Sequence, residues 1–190
     1  MALSQANLVE NSELVDELLH VSKKSPKLIK STEAKVPGCE DIVVRSWKMN
    51  EFKYYDVPTP FPTLARGLFT TDAKGDGAQV KHRIVIRGYD KFFNIGEVPW
   101  TTWESLEKHT SAPYVLSLKS NGCIIFIAAI TPDKLIVTSK HSVGQGDETV
   151  SHAARGRWWL DQYLEKKGKK EHDLAGVLWE QGLTAIAEVR

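Results

Sequence analysis

The sequence predicts an α+β domain, built mainly on antiparallel sheet with flanking helices. Two observations carry that expectation. From residue 41 onward, short runs of β-branched and aliphatic residues recur, each closed by Gly, Pro or Asp, and helical stretches intervene among the hairpins. At 190 residues, 42% hydrophobic and 26% charged, the chain can bury one sizeable core and has an ordinary globular composition.

The elements follow in chain order. Residues 7–21 read as an amphipathic helix, with Leu8, Val15, Leu18 and Leu19 on one face and acidic Glu13, Asp16 and Glu17 after Ser12. Residues 22–35 hold Lys23, Lys24, Lys27, Lys30 and Lys35 and read as a solvated connector, so 1–40 is expected to be a helix plus a basic linker. Strands are expected at 41–44, 67–71, 83–87, 114–118, 123–130, 135–139 and 184–189. Lys74-Gly75-Asp76-Gly77 and Thr131-Pro132-Asp133-Lys134 mark turns between them. Helices are expected at 103–109 and 150–166, the second with Trp158, Trp159 and Tyr163 on or near its buried side.

Composition excludes several classes. With 25 basic and 24 acidic residues the net charge is +1, so a globally basic nucleic-acid binder is not indicated, although charge can be concentrated locally. Cys39 and Cys123 are too few for a disulfide framework or a four-ligand zinc site, which fits the nucleus or cytoplasm. No apolar run approaches the roughly 20 residues that span a bilayer, so no membrane insertion is expected. No residue is assigned to a metal.

The segment Ser117-Leu118-Lys119-Ser120-Asn121-Gly122-Cys123 holds the candidate chemistry. Asn-Gly is also a hairpin signal, and a lysine beside a turn is ordinarily solvated. The bare Lys-x-x-Gly spacing occurs three times, at Lys35, Lys74 and Lys119. Context separates them. Lys35 and Lys74 lie in polar, turn-rich surroundings, whereas Lys119 sits between two apolar runs and is expected to emerge from a buried sheet. Such burial would favour the neutral amine that a nucleophile needs. Gly122 would let the backbone approach a nucleotide closely.

Lys119-Ser120-Asn121-Gly122 resembles the Lys-x-(Asp/Asn/His)-Gly motif of the covalent nucleotidyltransferases. Ala65-Arg66-Gly67-Leu68-Phe69 is similar to the Arg-Gly strand of phage and fungal RNA ligases. Arg87-Gly88-Tyr89-Asp90-Lys91-Phe92-Phe93-Asn94 resembles their more specific Arg-x-x-x-Lys-Phe-Phe-Asn segment. The runs from Val137 to Gly144 and from Leu183 to Glu188 resemble later motifs in the same order. The wording is closest to the ligase domain of fungal tRNA ligases, with residues 41–190 matching its N-terminal part.

The resemblance implies a nucleotidyltransferase fold, C-terminally incomplete, and an ATP-dependent RNA ligase using Mg2+ or Mn2+. Lys119 would become adenylylated, and Arg66, Arg87, Lys91, Asn121, Gly122 and Glu188 would bind the nucleotide. Phe92 and Phe93 are expected in the core. Lys140 and His141 at a hairpin tip, with Arg155 and Arg157 beside paired tryptophans, are candidate RNA contacts. The implied substrate is cleaved tRNA exon halves. A monomer is expected, with kinase and phosphodiesterase modules in the full-length protein.

The family pattern also needs a later metal-binding glutamate strand and a Lys-x-Lys strand. Lys167-Gly168-Lys169 has that spelling but lies in a hydrophilic loop before the Glu188 strand, so it is not that motif. A truncated form, a fragment or a chain whose remainder lies elsewhere is therefore the expectation, inactive as the isolated 190 residues. Two rival readings are a non-catalytic RNA-binding fragment of the same fold, and a DNA ligase or mRNA-capping nucleotidyltransferase.

Overall fold

A computed structural model describes residues 5–73, 79–144 and 151–190. Four layers stack in the order helix, sheet, sheet, helices. Helix α1 (Gln5–Lys24) covers a sheet of β1 (Ile29–Val36), β2 (Cys39–Met49), β3 (Leu68–Asp72) and β4 (His82–Arg87), in the order β1-β2-β3-β4 with every pair antiparallel. A second antiparallel sheet, ordered β6-β5-β7, joins β5 (Cys123–Thr131), β6 (Lys134–Thr138) and β7 (Thr184–Val189). Helices α3 (His152–Lys166) and α4 (Glu171–Gln181) cover its far side, and a short α2 (Trp103–His109) lies between the sheets in sequence. The α+β class with antiparallel sheets is as the sequence predicts.

Strand periodicity explains the stacking. In β5, Phe126, Ala128 and Ile130 pack with Val36, Val44, Phe69, Ile86 and Ile136 between the two sheets. The alternate residues Ile125, Ile127 and Ala129 pack with Leu160, Leu164, Ala175 and Leu178 of the covering helices. A strand buried on both faces must be apolar without interruption, which is why 123–130 is the longest apolar run in the chain. The third core puts Val15 and Leu18 of α1 against Ile29, Trp47, Met49 and Leu68. Ser12 pins the same helix: its buried Oγ accepts from the backbone amides of Lys81 (3.0 Å) and His82 (3.2 Å).

Several expectations are corrected. The supposed connector contains β1, whose eight residues pair with β2 from Ile29↔Met49 to Val36↔Cys39, across the expected boundary at residue 40. Its apolar anchors, Ile29 and Val36, stand at its two ends, and the polar residues between them hid the strand. The strand expected at 114–118 is irregular and exposed, with Leu118 99% accessible. Trp158, Trp159 and Tyr163 are exposed, because α3 buries Ala153, Gly156, Leu160 and Leu164 instead. Phe92 is 65% exposed, and Phe93 alone of that pair packs on the core. Helix α4 is an element the expected pattern lacks, although its stop signal is in the sequence: Gly182 caps it at φ 63°, a conformation glycine adopts without a Cβ penalty. The Lys74–Gly77 turn and Val150, the expected first residue of α3, lie outside the described residues.

Candidate nucleotide and RNA site

The two arginine motifs form one ribbon. The amide of Arg66 donates to the carbonyl of Tyr89 (2.9 Å), that of Gly88 to Gly67 (2.7 Å), and that of Lys91 to Leu64 (2.9 Å). An isolated bridge between Ala65 and Asp90 continues the pairing beyond β3 and β4. The ribbon lies against the outer edge of the Phe126 ring. A Cβ at Gly67 would stand 2.4 Å from that ring, and one at Gly88 would stand 1.9 Å from the Arg66 carbonyl oxygen. Two glycines are therefore required by close approach, and they lock Arg66 and Arg87 onto the central strand of the second sheet.

The same strand gathers the other motifs. Pairing of β5 with β7 sets Ile124 opposite Glu188 and Cys123 opposite Val189. A Cβ on Gly122 would meet the Val189 carbonyl oxygen at 2.6 Å and Glu188 Cγ at 3.0 Å, so the end of the lysine motif abuts Glu188. The amide of Arg87 donates to Thr184 Oγ1 (3.1 Å), which ties the ribbon to β7 as well. Lys119 and Asn121 stand exposed just before β5. The burial expected of Lys119 is absent, because the apolar run before it pairs with no strand among the described residues.

Each cation of the ribbon is held by a carboxylate. Arg66 Nη2 lies 3.0 Å from Glu51 Oε1, and its Nε is buried without a partner among the described residues. Arg87 Nη2 pairs with Asp90 at 2.6 Å. Lys91, with a side chain only 12% exposed, lies 3.3 Å from Glu97 and 3.9 Å from the Phe93 ring centre. A hydrogen bond from the Tyr55 hydroxyl, then one from the Asn94 amide, hold the Glu97 carboxyl down at about 2. Arg87 and Asp90 carry a legible signal, an i,i+3 pair of opposite charge. Nothing in the sequence points to Glu51, which follows the Asn50 cap of a 3-10 turn at Glu51–Tyr55.

Lys140 and His141 occupy the tip of a tight turn closed by the Ser139 amide donating to the Ser142 carbonyl (2.9 Å) and by a Thr138–Val143 bridge. Lys140 is hydrogen-bonded to Glu51, which thus bridges Lys140 and Arg66; the Lys140 bond first, and Arg66 after it, push the Glu51 carboxyl down to about 2. His141 is pushed down to about 4, chiefly by burial and then by the charges of Lys140 and Lys48. Arg155 is exposed on α3, whereas Arg157 is committed to Asp161 (2.9 Å) and Glu171 (2.9 Å), fastening α3 to α4. Lys167-Gly168-Lys169 lies in the loop between those helices.

Among the described residues no three side chains of His, Cys, Asp or Glu converge to hold a metal ion. Among the same residues no helix is long and apolar enough to cross a membrane.

The arginine ribbon, the end of the lysine–glycine motif at Gly122 and the strand residue Glu188 thus come together around β5. A family model described as "RNA ligase" matches residues 64–190, and the chain belongs to that family. It is 53% identical to tRNA ligase 1 of Schizosaccharomyces pombe over 129 residues, which is 67% of this chain and 16% of that protein. It is 34% identical to the tRNA ligase of Candida albicans over 203 residues, 98% of this chain and 23% of that protein. The chain thus spans less than a quarter of the length of either relative.

Proposed function

We propose that this chain carries the adenylylating part of an ATP-dependent RNA ligase of tRNA splicing, acting in the nucleus or cytoplasm. The observation that supports it best is the joining of the Arg66, Arg87–Lys91, Gly122 and Glu188 motifs around one strand, β5. In this reading the Lys119 amine nitrogen attacks the α-phosphorus of ATP. A nitrogen–phosphorus bond forms, the bond to the bridging oxygen breaks, and pyrophosphate leaves with that electron pair while the amine sheds its proton. Arg66, Arg87 and Lys91 exchange their carboxylate partners for the phosphates and offset the shifting charge. Glu188 accepts from the nucleoside ribose, and Gly122 leaves room for the nucleotide. AMP then passes from lysine to an RNA 5′-phosphate, and a 3′-hydroxyl attacks that phosphate and expels AMP.

The exposure of residues 114–119 favours a second reading for the isolated chain, in which it holds RNA without forming the adenylate. The test is to incubate full-length protein with ATP, Mg2+ and RNA halves carrying a 5′-phosphate and a 2′-phosphate at the break, beside a nicked DNA and a GTP arm. Sealed RNA with ATP alone is expected. Preferential sealing of DNA, or nucleotide capture from GTP, would refute the assignment.

A further inference from the structure

A groove of about 480 Å³ lies where the start of β1 and the end of β2 overhang the Lys140–His141 turn. Its lining includes Lys27, Lys30, Lys48 and Lys140, with Glu51 as its one carboxylate. That leaves three positive charges in excess on one face of a chain whose net charge is +1.

The strand register produces this concentration. Lys30 and Lys48 are direct cross-strand partners in the β1–β2 ladder. Like charges placed directly opposite destabilise a sheet, so the arrangement costs stability unless an anion lies between or along them. Among the described residues, none of Lys27, Lys30 and Lys48 has a carboxylate within 4 Å, whereas Lys140 and Arg66 both do. The depressed His141, lowered in part by Lys140 and Lys48, reports the same positive field. Phe52 stands at the rim of the groove with 84% of its surface exposed. Glu51, which pairs with both Lys140 and Arg66, stands between the groove and the arginine ribbon.

We propose that this groove is the track for the phosphodiester backbone of the RNA strand, with Lys27, Lys30 and Lys48 facing its phosphates and Phe52 stacking on a base. The inference rests on the RNA-ligase reading and locates its RNA. Basic side chains that follow a backbone, together with an exposed aromatic, are the usual means of holding a single strand without reading its sequence. Glu51 separates the track from the nucleotide cations and keeps Lys140 from binding phosphate until an anion displaces it.

The test compares wild type with a K27A/K30A/K48A variant of the full chain, binding a fluorescent single-stranded oligoribonucleotide across a salt series. Each lost phosphate contact removes about 0.7 from the slope of log affinity against log salt. The variant's slope is therefore expected to fall by about 2, with affinity about a hundredfold lower near 0.1 M salt. Phe52→Ala is expected to weaken binding about tenfold with the slope unchanged. A triple variant whose slope and affinity match wild type overturns the track while leaving the RNA reading in place. A variant that loses binding of labelled ATP but keeps the RNA slope assigns the groove to the nucleotide and overturns it too. Wild type with no salt-dependent RNA binding would fail the RNA reading itself.

Discussion

Gly88→Ala tests how firmly the arginine ribbon is built into the second sheet. The added Cβ would stand 1.9 Å from the Arg66 carbonyl oxygen and 2.8 Å from the Phe126 ring. The first contact is with backbone, so no rotamer change relieves it, and the two chain segments must part by more than about 1 Å. Overpacking of this kind costs about 1–3 kcal/mol. Parting also breaks the Gly88–Gly67 hydrogen bond, worth about 1 kcal/mol when buried. Lifting the ribbon off Phe126 forfeits part of the roughly 2–3 kcal/mol of that ring's burial. The sum is about 4 kcal/mol, a large share of the 5–15 kcal/mol typical of a domain. Urea denaturation followed by tryptophan fluorescence reads the loss as a shift of midpoint. Gly96→Ala is the control: φ there is +73° with nothing within 4 Å, so only the left-handed backbone is penalised, by about 1 kcal/mol. Equal losses for the two variants would refute the close packing of the ribbon on β5.

Three further outcomes are expected. Ser12→Ala orphans the amides of Lys81 and His82 and should cost about 1–3 kcal/mol in the same denaturation assay; a loss under a few tenths would mean that α1 docks without them. For pH, His141 has a folded value of about 4, below its ordinary 6.5, so the unfolded chain binds the extra proton first. Its stabilising contribution is complete above pH 6.5 and disappears as pH falls towards 4; H141Q should flatten that portion of the stability profile, and an unchanged profile would contradict the burial. Glu51, lowered from 4.5 to about 2, stabilises above pH 4.5 and loses that contribution as pH falls through 2. The full shift corresponds to roughly 3 kcal/mol, but with the side chain 53% exposed, solvent screening reduces it to about 1 kcal/mol. Glu51→Gln should cost that much at pH 7 and flatten the acid limb, and a loss near 3 kcal/mol would mean a far drier bridge.

Much of the fold is legible because its strands carry clear patterns. Strands β3 to β7 coincide with expected runs to within a residue, since apolar residues and turn signals agree there, whereas β2 (Cys39–Met49) extends well beyond the expected 41–44. β1 escaped because six of its eight residues are at least partly exposed, leaving only Ile29 and Val36 as buried anchors. The misplaced tryptophans have a different cause. Helical periodicity alone does not say which stripe is buried, and the small residues Ala153 and Gly156 mark the true one because β5 approaches there: a Cβ on Gly156 would stand 2.8 Å from Ile125. At the candidate site the cations were legible from motif spelling. Their carboxylate partners were not, since Glu51 meets Arg66 and Lys140 only through tertiary pairing. The exposed stretch before Lys119 shows why an apolar pattern is insufficient by itself. Alternating Val115, Ser117 and their neighbours suit a strand, but a strand forms only where another offers it a ladder.

The central claim is that Lys119 is the nucleophile, and intact-mass measurement after incubation of the full-length protein with ATP and Mg2+ tests it most directly. Wild type should gain the mass of one AMP, and peptide mapping should place it on Lys119. K119A and K119R should show no adduct while remaining folded, because the guanidinium stays protonated and offers no lone pair. K35A and K74A should carry the adduct normally despite sharing the Lys-x-x-Gly spacing. An AMP adduct that persists in K119A or K119R would contradict the account.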